Sequence, residues 1–216
     1  METREAHVYV FDTLADWEVG YAIAQLNTPL DPAARGRYRV VSVGTTRAPV
    51  RTLGGLTITP DLALDEIDPA RSALLILPGG NSWDAGGNLE AIDKARAFVT
   101  AGVPVAAICG ATGGLARAGL LDACAHTSNA KEYLQYQPGY GGATRYREAP
   151  AVRDRGIITA GSTAPVEFAR EIFAALELFR GPVLEAWYGL FSSGDARYYR
   201  ALMQAISPDT PLPGDR

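Results

Sequence analysis

Short apolar runs alternate with longer amphipathic stretches along most of the chain. The run at 73–77 is wholly apolar, which is typical of a strand covered on both faces. We predict strands at 7–12, 38–43, 73–77, 103–108, 124–127 and 156–160, with a further short one around Val152. We predict helices over 16–26, 89–101, 110–118, 165–179, 183–191 and 196–206. This alternation predicts an α/β protein with a mostly parallel sheet and helices on both faces.

Glycine and proline positions refine this picture. Gly54 and Gly55 separate two extended pieces within 50–59, and the pattern predicts a hairpin there. The stretch 133–146 is rich in Tyr, Gln and Gly, so we expect loops with a helical turn. Residues 207–216 contain three prolines, and we expect this end of the chain to fray.

Composition and charge narrow the class of protein. The 216 residues are 47% apolar, which is enough to bury the core of one domain spanning 1–216. A net charge of -4 offers no general attraction to nucleic acid or to an anionic membrane. The first five residues lead directly into a strand pattern, so we expect no signal peptide. Two cysteines make a disulfide framework improbable, and a reducing cytoplasm is the simplest location.

Three segments with chemical potential follow predicted strands: 12–18, 78–81 and Cys109. The carboxyl ends of parallel strands lie along one edge of a sheet, where ligands bind in such folds. We therefore expect these segments, which are distant in sequence, to form one site.

Cys109 lies between a buried strand and a run of small residues that begins a helix. This is the pattern of a nucleophile elbow, in which a tight turn projects the reactive side chain. A helix N-terminus favours a negative charge, so we expect the pKa of Cys109 to fall below that of a free cysteine. The alternative is an inert buried cysteine, and we assign that structural role to Cys124.

Glycines near these strand ends are candidate backbone donors. Gly79 and Gly80 allow the chain to turn sharply, and the N–H groups of Gly80 and Gly110 would form an oxyanion hole over Cys109. The alternative is an ordinary tight turn, which glycine pairs often mark.

Acidic and imidazole side chains complete the candidate site. Glu18, in the first turn of the first helix, would keep its proton beside a thiolate and donate a hydrogen bond to the sulfur. The alternative role is that of a helix-dipole partner. Asp16, the expected N-cap of that helix, is a further candidate. His126 is the candidate base, whereas His7 opens a strand and is expected to be structural.

Together these residues resemble the ThiJ/PfpI superfamily. The resemblance is carried by the strand and turn at 8–18, LPGGN at 77–81, AICG at 107–110 and ITAGSTAPVEFA at 158–169. It implies a flavodoxin-like three-layer sandwich and a homodimer. It also implies a reactive Cys109 hydrogen-bonded by a protonated Glu18, with Gly80 and Gly110 as backbone donors.

Departures from the family pattern restrict the activity. Gly110 stands where protease-like members have a histidine directly after the cysteine. An ungapped reading places Asn129 at the position of another family histidine, three residues after His126. Peptidase and glutaminase activities are therefore disfavoured. A helical extension from about residue 181 exceeds the smallest members and is expected to cover the site or to form a dimer contact.

Two functions of different classes remain open. In the first, the Cys109 thiolate of an enzyme attacks an electrophilic carbon of a small molecule, such as a methylglyoxal-type aldehyde or an isonitrile, without metal or organic cofactor. In the second, the protein is a non-enzymatic stress sensor or chaperone whose cysteine is oxidised to a sulfinic acid. A third option is a scaffold with neither activity.

Overall fold

The computed structural model of the chain describes residues 3–207. The strands are β1 Arg4–Tyr9, β2 Tyr38–Gly44, β3 Val50–Arg51, β4 Thr57–Ile58, β5 Leu62–Ala63, β6 Ser72–Leu77, β7 Val105–Ile108, β8 Ala151–Asp154 and β9 Ile157–Ala160. The helices are α1 Asp16–Asn27, α2 Asn81–Asp84, α3 Leu89–Thr100, α4 Gly110–Arg117, α5 Lys131–Gln135, α6 Pro165–Ala175, α7 Gly181–Ser193 and α8 Ala196–Ile206. The prediction of a frayed end falls almost entirely on residues 208–216, outside the described part.

Seven strands form one sheet in the order β5-β2-β1-β6-β7-β9-β8. The neighbours pair in parallel, except that β8 runs antiparallel to β9. The chain passes from β1 to β2 on one side and later crosses to β6 on the other. The carboxyl ends of β1 and β6 therefore flank the point where the strand order reverses, which is the usual ligand crevice of such sheets. The predicted mostly parallel, flavodoxin-like sheet is confirmed.

The sheet separates two apolar layers. Leu74 and Ile76 of β6 face the layer formed with α1, α6 and α7, whereas Leu75 and Leu77 face the layer formed with α3 and α4. All six residues of β6 are buried, so this strand packs on both faces, as its wholly apolar sequence predicts. Truncating one of these leucines to alanine would cost about 2–5 kcal/mol.

The extension after residue 181 packs on the helical layer of the fold. Trp187 of α7 is fully buried, with its ring 4.9 Å from Phe173 of α6 and 6.3 Å from Tyr21 of α1. α8 in turn packs on α7, where the absence of a side chain at Gly189 leaves space for the ring of Tyr198. The extension thus completes the α1–α6 side of the sheet.

Four element predictions differ from the structure. The first strand, predicted at 7–12, is β1 at Arg4–Tyr9. Residues 124–127 form no strand: His126 makes one isolated bridge to Tyr146 within a loop. The helix predicted to reach residue 179 ends at Ala175, because Glu177 takes a left-handed φ of 51° that turns the chain back to the core. β7 begins after Pro104, which lacks the N–H that a strand pair needs. The hairpin predicted within 50–59 is confirmed as β3 and β4.

Within residues 3–207, no helix is both long enough and apolar enough to cross a lipid bilayer.

Candidate active site

Cys109 lies at a strained turn between β7 and α4. Its φ of 58° and ψ of -126° are unusual for a residue with a side chain, and such strain is typical of nucleophile elbows. The strained backbone is held from both sides. The Cys109 N–H donates to Ala160 O at 3.0 Å, and the N–H and hydroxyl of Thr112 donate to Cys109 O at 3.1 and 2.6 Å. The elbow predicted from the sequence is therefore present.

A second hydroxyl supports this turn from the neighbouring loop. The oxygens of Thr112 and Ser128 lie 2.6 Å apart, and both residues are buried. Because the Thr112 hydroxyl has one proton and gives it to Cys109 O, the Ser128 hydroxyl donates to Thr112. The loop at 127–129 is thus fixed to the elbow helix.

Glu18 lies beside the sulfur, fully buried in the first turn of α1. Its Oε2 accepts a hydrogen bond of 2.6 Å from the Gly79 N–H, and its Oε1 is buried without a partner among residues 3–207. Gly79 is the residue that allows the approach. A Cβ there would lie 2.6 Å from the Cys109 Cβ, 2.7 Å from the Glu18 Oε2 and 2.9 Å from the Cys109 Sγ.

Asn129, in the loop between α4 and α5, also approaches the sulfur. Its Nδ2 donates to Cys109 Sγ over 3.5 Å, and its Oδ1 accepts from the Ser162 N–H at 2.8 Å. The Ser162 amide fixes the orientation of the Asn129 side chain, because an N–H requires the oxygen as its partner. The amide nitrogen therefore faces the sulfur.

The pKa of the Cys109 thiol is raised to about 11, opposite to the sequence-based prediction. Burial contributes most, and the negative charge of Glu18 adds to it, whereas hydrogen bonds from Asn129 and the Gly110 N–H lower the pKa. The dipole argument was wrong because it ignored how deeply the sulfur is desolvated.

Glu18 is perturbed in the same direction. Burial raises the pKa of Glu18, although the hydrogen bonds with Gly79 and Cys109 act against that rise. A negative charge on either group raises the pKa of the other. Glu18 and Cys109 therefore form a coupled pair that holds one proton over a wide pH range.

The glycine donors are only partly available. The Gly79 N–H is used by Glu18, so it does not contribute to an oxyanion hole. The Gly110 N–H acts to lower the pKa of the Cys109 thiol. Gly80 packs against the connection that follows β1, where a Cβ would lie 2.5 Å from Thr13 O. The oxyanion role of Gly80 stays a prediction.

His126 does not take part in the arrangement around the sulfur, contrary to the sequence-based hypothesis. Its Nδ1 lies 2.9 Å from Cys124 O and its Nε2 lies 2.7 Å from the Tyr140 hydroxyl, so both ring nitrogens have partners elsewhere. Its ring packs edge-on against Tyr140 and Tyr146. Burial lowers the pKa of His126, which makes it a neutral structural histidine. The side chain from this loop that contacts the sulfur is Asn129.

Asp16 also has a different role from the predicted one. α1 begins at Asp16 with Ala15 as N-cap, and the Asp16 Oδ2 accepts from the Gly54 N–H at 2.6 Å. Partial burial acts to raise the pKa of Asp16, but hydrogen bonds with Thr52 and Gly54 outweigh it and leave the pKa below its ordinary value. Asp16 thus joins α1 to the hairpin.

Tyr133 was not identified from the sequence, although it lies over the elbow helix. Its hydroxyl donates to Asp84 Oδ1 at 2.7 Å and lies 3.4 Å from Gly110 O. A Cβ at Gly113 would lie 2.8 Å from that hydroxyl. Burial and then Asp84 raise the pKa of Tyr133, which keeps the phenol protonated. The glycine pair at 113–114 inside a helix was the available signal, because glycine there usually marks a close approach.

A cavity of about 510 Å³ lies on the Asn129 side of the sulfur. It is lined by residues 127–129, 146, 148–150, 161–164 and 167. Asn129 and Ser162 belong both to this cavity and to the hydrogen bonds that hold the sulfur. A small molecule in the cavity would therefore lie next to the amide that contacts Cys109.

Comparison with known proteins agrees with the fold. The model of the DJ-1/PfpI family matches residues 4–175, and the chain belongs to that family. It is 41% identical to the protein named "Uncharacterized protease YoaZ" of Bacillus subtilis (strain 168), over 96% of this chain and 100% of that protein. The crystal structure of a thiJ/pfpI family protein from Bacillus anthracis superposes with a TM-score of 0.89 at 40% identity, covering 95% of this chain and 98% of the other. A DJ-1 superfamily protein from Agrobacterium tumefaciens gives a TM-score of 0.81 at 34% identity, covering 89% and 99%. The resemblance recognised in the sequence is confirmed.

Proposed function

We propose that this protein is an enzyme whose Cys109 sulfur attacks an electrophilic carbon of a small molecule, in the manner of a glyoxalase, a deglycase or an isonitrile hydratase. The observation that carries the proposal is the meeting of the Glu18 carboxyl and the Asn129 amide at this sulfur, on a strained turn at the reversal point of the sheet. Perturbed acids and a nucleophile in such a crevice are typical of catalytic sites.

When the Glu18–Cys109 pair holds one proton, the hydrogen-bond donors around it favour a negative charge on the sulfur and the proton on Glu18. The sulfur accepts a hydrogen bond from the Asn129 Nδ2, and the Gly110 N–H also lowers the pKa of the Cys109 thiol. The Glu18 carboxyl, in contrast, accepts from the Gly79 N–H alone among the described residues. Among the described residues, the buried Oε1 of Glu18 has no hydrogen-bond partner, so a negative charge on this carboxyl would be poorly stabilised and the protonated form is favoured. When Glu18 is protonated, its repulsion of the thiolate also disappears.

The first chemical step follows from this charge distribution. The thiolate forms a C–S bond to a carbonyl or isonitrile carbon, and the electron pair of the multiple bond moves to the oxygen or onto the isonitrile carbon. Glu18 donates its proton to the atom that receives the pair. With an isonitrile, water then adds through its oxygen to the same carbon, its second proton goes to the nitrogen, and the C–S bond breaks with its electrons returning to sulfur, which releases a formamide. With a 2-oxoaldehyde, the hemithioacetal carbon first loses its C–H proton to a base and the neighbouring carbon gains one, which leaves a thioester of a 2-hydroxy acid. Water hydrolyses this thioester, the C–S bond breaks with its electrons returning to sulfur, and a proton returns to Glu18.

The cavity beside Asn129 restricts the substrate. Its lining includes the carboxyl groups of Glu148 and Glu167 and no lysine or arginine. An anionic substrate would be repelled there, whereas a neutral or cationic one is accommodated. The volume of about 510 Å³ suits a small molecule and is at the lower end of ordinary ligand pockets.

Peptidase and glutaminase chemistry remains disfavoured in this proposal. Both usually require an imidazole beside the cysteine, but residue 110 is glycine and both nitrogens of His126 are engaged. The word protease belongs to the name of the Bacillus subtilis relative, and we do not extend that activity to this chain. A homodimer and a cytoplasmic location are further predictions, which rest on the resemblance and on the composition.

The test is turnover of a substrate panel with two matched cysteine variants. Wild type and Cys124→Ala should consume at least one of methylglyoxal, glyoxal and an isonitrile. Cys109→Ser should lose at least about 100-fold of that rate while its circular dichroism stays unchanged. Equal turnover by Cys109→Ser would contradict the proposal.

The second candidate function, an oxidation sensor, uses the same surroundings. A protonated Glu18 and the Asn129 Nδ2 are donors that suit a sulfinate as well as a thiolate. If no substrate in the panel is consumed but mild peroxide adds two oxygen atoms to Cys109 by mass spectrometry, the sensor replaces the enzyme as the better reading.

A further inference from the structure

We propose that Trp17 is a positioning residue for the reactive sulfur, acting through its indole N–H on the Asn129 amide. The inference rests on the proposed function in that it concerns the same sulfur. It is nevertheless tested by thiol chemistry alone, so it stands or fails separately from any substrate.

Three consecutive hydrogen bonds connect Trp17 to the sulfur. The Trp17 Nε1 donates to Ser162 O over 3.2 Å. The N–H of the same Ser162 donates to Asn129 Oδ1 at 2.8 Å, and Asn129 Nδ2 donates to Cys109 Sγ over 3.5 Å. Both backbone polar groups of Ser162 are therefore engaged, one by the indole and the other by the amide.

The position of Ser162 decides which way the Asn129 amide points. If the Ser162 N–H moved away, the Asn129 side chain would be free to rotate by half a turn and present oxygen to the sulfur. An oxygen beside a thiolate is repulsive, whereas the observed nitrogen is attractive. Fixing Ser162 therefore fixes the sign of the interaction at Cys109.

Two residues in the first turn of α1 thus act on the Cys109 sulfur. Glu18 points inwards and contacts the site directly, whereas Trp17, about 100° away around the helix, reaches the loop after β9. A shift of this one turn would move the acid and the amide together. Trp17 is 55% exposed, so its ring contributes little to the core and its N–H can be removed without unfolding the protein.

The experiment is a double-mutant cycle on the alkylation rate of Cys109 as a function of pH. Trp17→Phe removes the indole N–H and keeps an aromatic ring, and Asn129→Ala removes the amide. Each should slow iodoacetamide labelling at neutral pH and move its pH profile to higher pH, by about two- to fivefold in rate for Trp17→Phe. The double variant should behave like Asn129→Ala alone, because the indole acts only through the amide.

Two further variants keep the outcome decisive. Asn129→Asp retains an acceptor for Ser162 but places an oxygen at the sulfur, so it should slow labelling more than Asn129→Ala. Tyr136→Phe, a change at an aromatic that is 85% exposed, is the control and should leave the profile unchanged. A wild-type profile for Trp17→Phe would overturn the inference. So would a Trp17→Phe effect that persists in the Asn129→Ala background.

Discussion

The two cysteines of this chain have thiol pKa values raised to the same level by different surroundings. Burial and then the charge of Glu18 raise the pKa of Cys109, whereas burial and then the charge of Asp154 raise the pKa of Cys124. Both pKa values are about 11. The sulfurs differ in their partners. Cys109 Sγ accepts from Asn129, whereas Cys124 Sγ donates to Leu120 O over 3.7 Å.

This comparison shows that an elevated thiol pKa does not by itself identify a reactive cysteine. What distinguishes Cys109 is that N–H donors and a carboxyl able to keep the proton surround a half-buried sulfur. Cys124 is 2% exposed and its Sγ donates to Leu120 O. Its own backbone N–H acts to lower the pKa of the thiol, but no carboxyl is placed to take the proton, so ionisation there would leave a deeply buried charge. The following predictions test this difference.

Selective alkylation should give the largest effect. In the native protein iodoacetamide should label Cys109 at least about 100-fold faster than Cys124, because reactivity follows access and stabilisation of the thiolate. Peptide mass spectrometry after timed quenching measures the two rates. Labelling of both sites at similar rates in denaturant is the control, and similar rates in the native protein would remove the distinction.

Replacing Glu18 should have the next largest effect. Glu18→Leu should slow alkylation of Cys109 by about tenfold or more, because the half-buried sulfur loses the carboxyl that takes its proton. Glu18→Gln should retain more of the rate, since its amide can accept from Gly79 and donate to the sulfur. Labelling of Cys124 should not change in either variant. Equal thiol pKa values in wild type and both variants would exclude Glu18 from the mechanism.

Replacing Cys124 should destabilise the protein more than replacing Cys109, although Cys109 is expected to be the more reactive residue. Cys124→Ala should lower the free energy of unfolding by about 1 kcal/mol, because it removes a buried sulfur and leaves a small cavity. Cys109→Ser should change it by less than about 0.5 kcal/mol, since its sulfur is partly exposed. Urea unfolding followed by circular dichroism measures both values, and a larger loss for Cys109→Ser would reverse the assignment of roles.

The pH dependence of stability should show the smallest effect. The pKa of the Cys124 thiol is raised in the folded state from 9.0 to about 11, so its stabilising contribution is complete below 9 and is lost as the pH rises through 11. Cys124→Ala should flatten this alkaline decline in unfolding free energy. Parallel declines in wild type and Cys124→Ala would argue against the raised pKa of Cys124.

The sequence was sufficient for the parts of the site that local pattern determines. The strand, cysteine and small-residue order located the elbow, and the strand ends located Glu18 and Gly79. The choice between His126 and Asn129 depended on the path of a loop that the hydrophobic pattern described wrongly as a strand. Trp17 could not be found, because its hydrogen bond reaches a residue 145 positions away. Similarly, the pKa of Cys109 depends on burial by distant segments.

The close fit at Gly79 has a consequence for how this protein would be disabled by mutation. Any side chain at Gly79 would contact both Glu18 and the Cys109 sulfur. Even alanine should therefore push the two groups apart, although neither Glu18 nor Cys109 is itself replaced. A screen for loss of thiol reactivity in well-folded variants should therefore recover Gly79→Ala alongside changes of the two functional residues. Judged by its place in a turn, that substitution would look harmless.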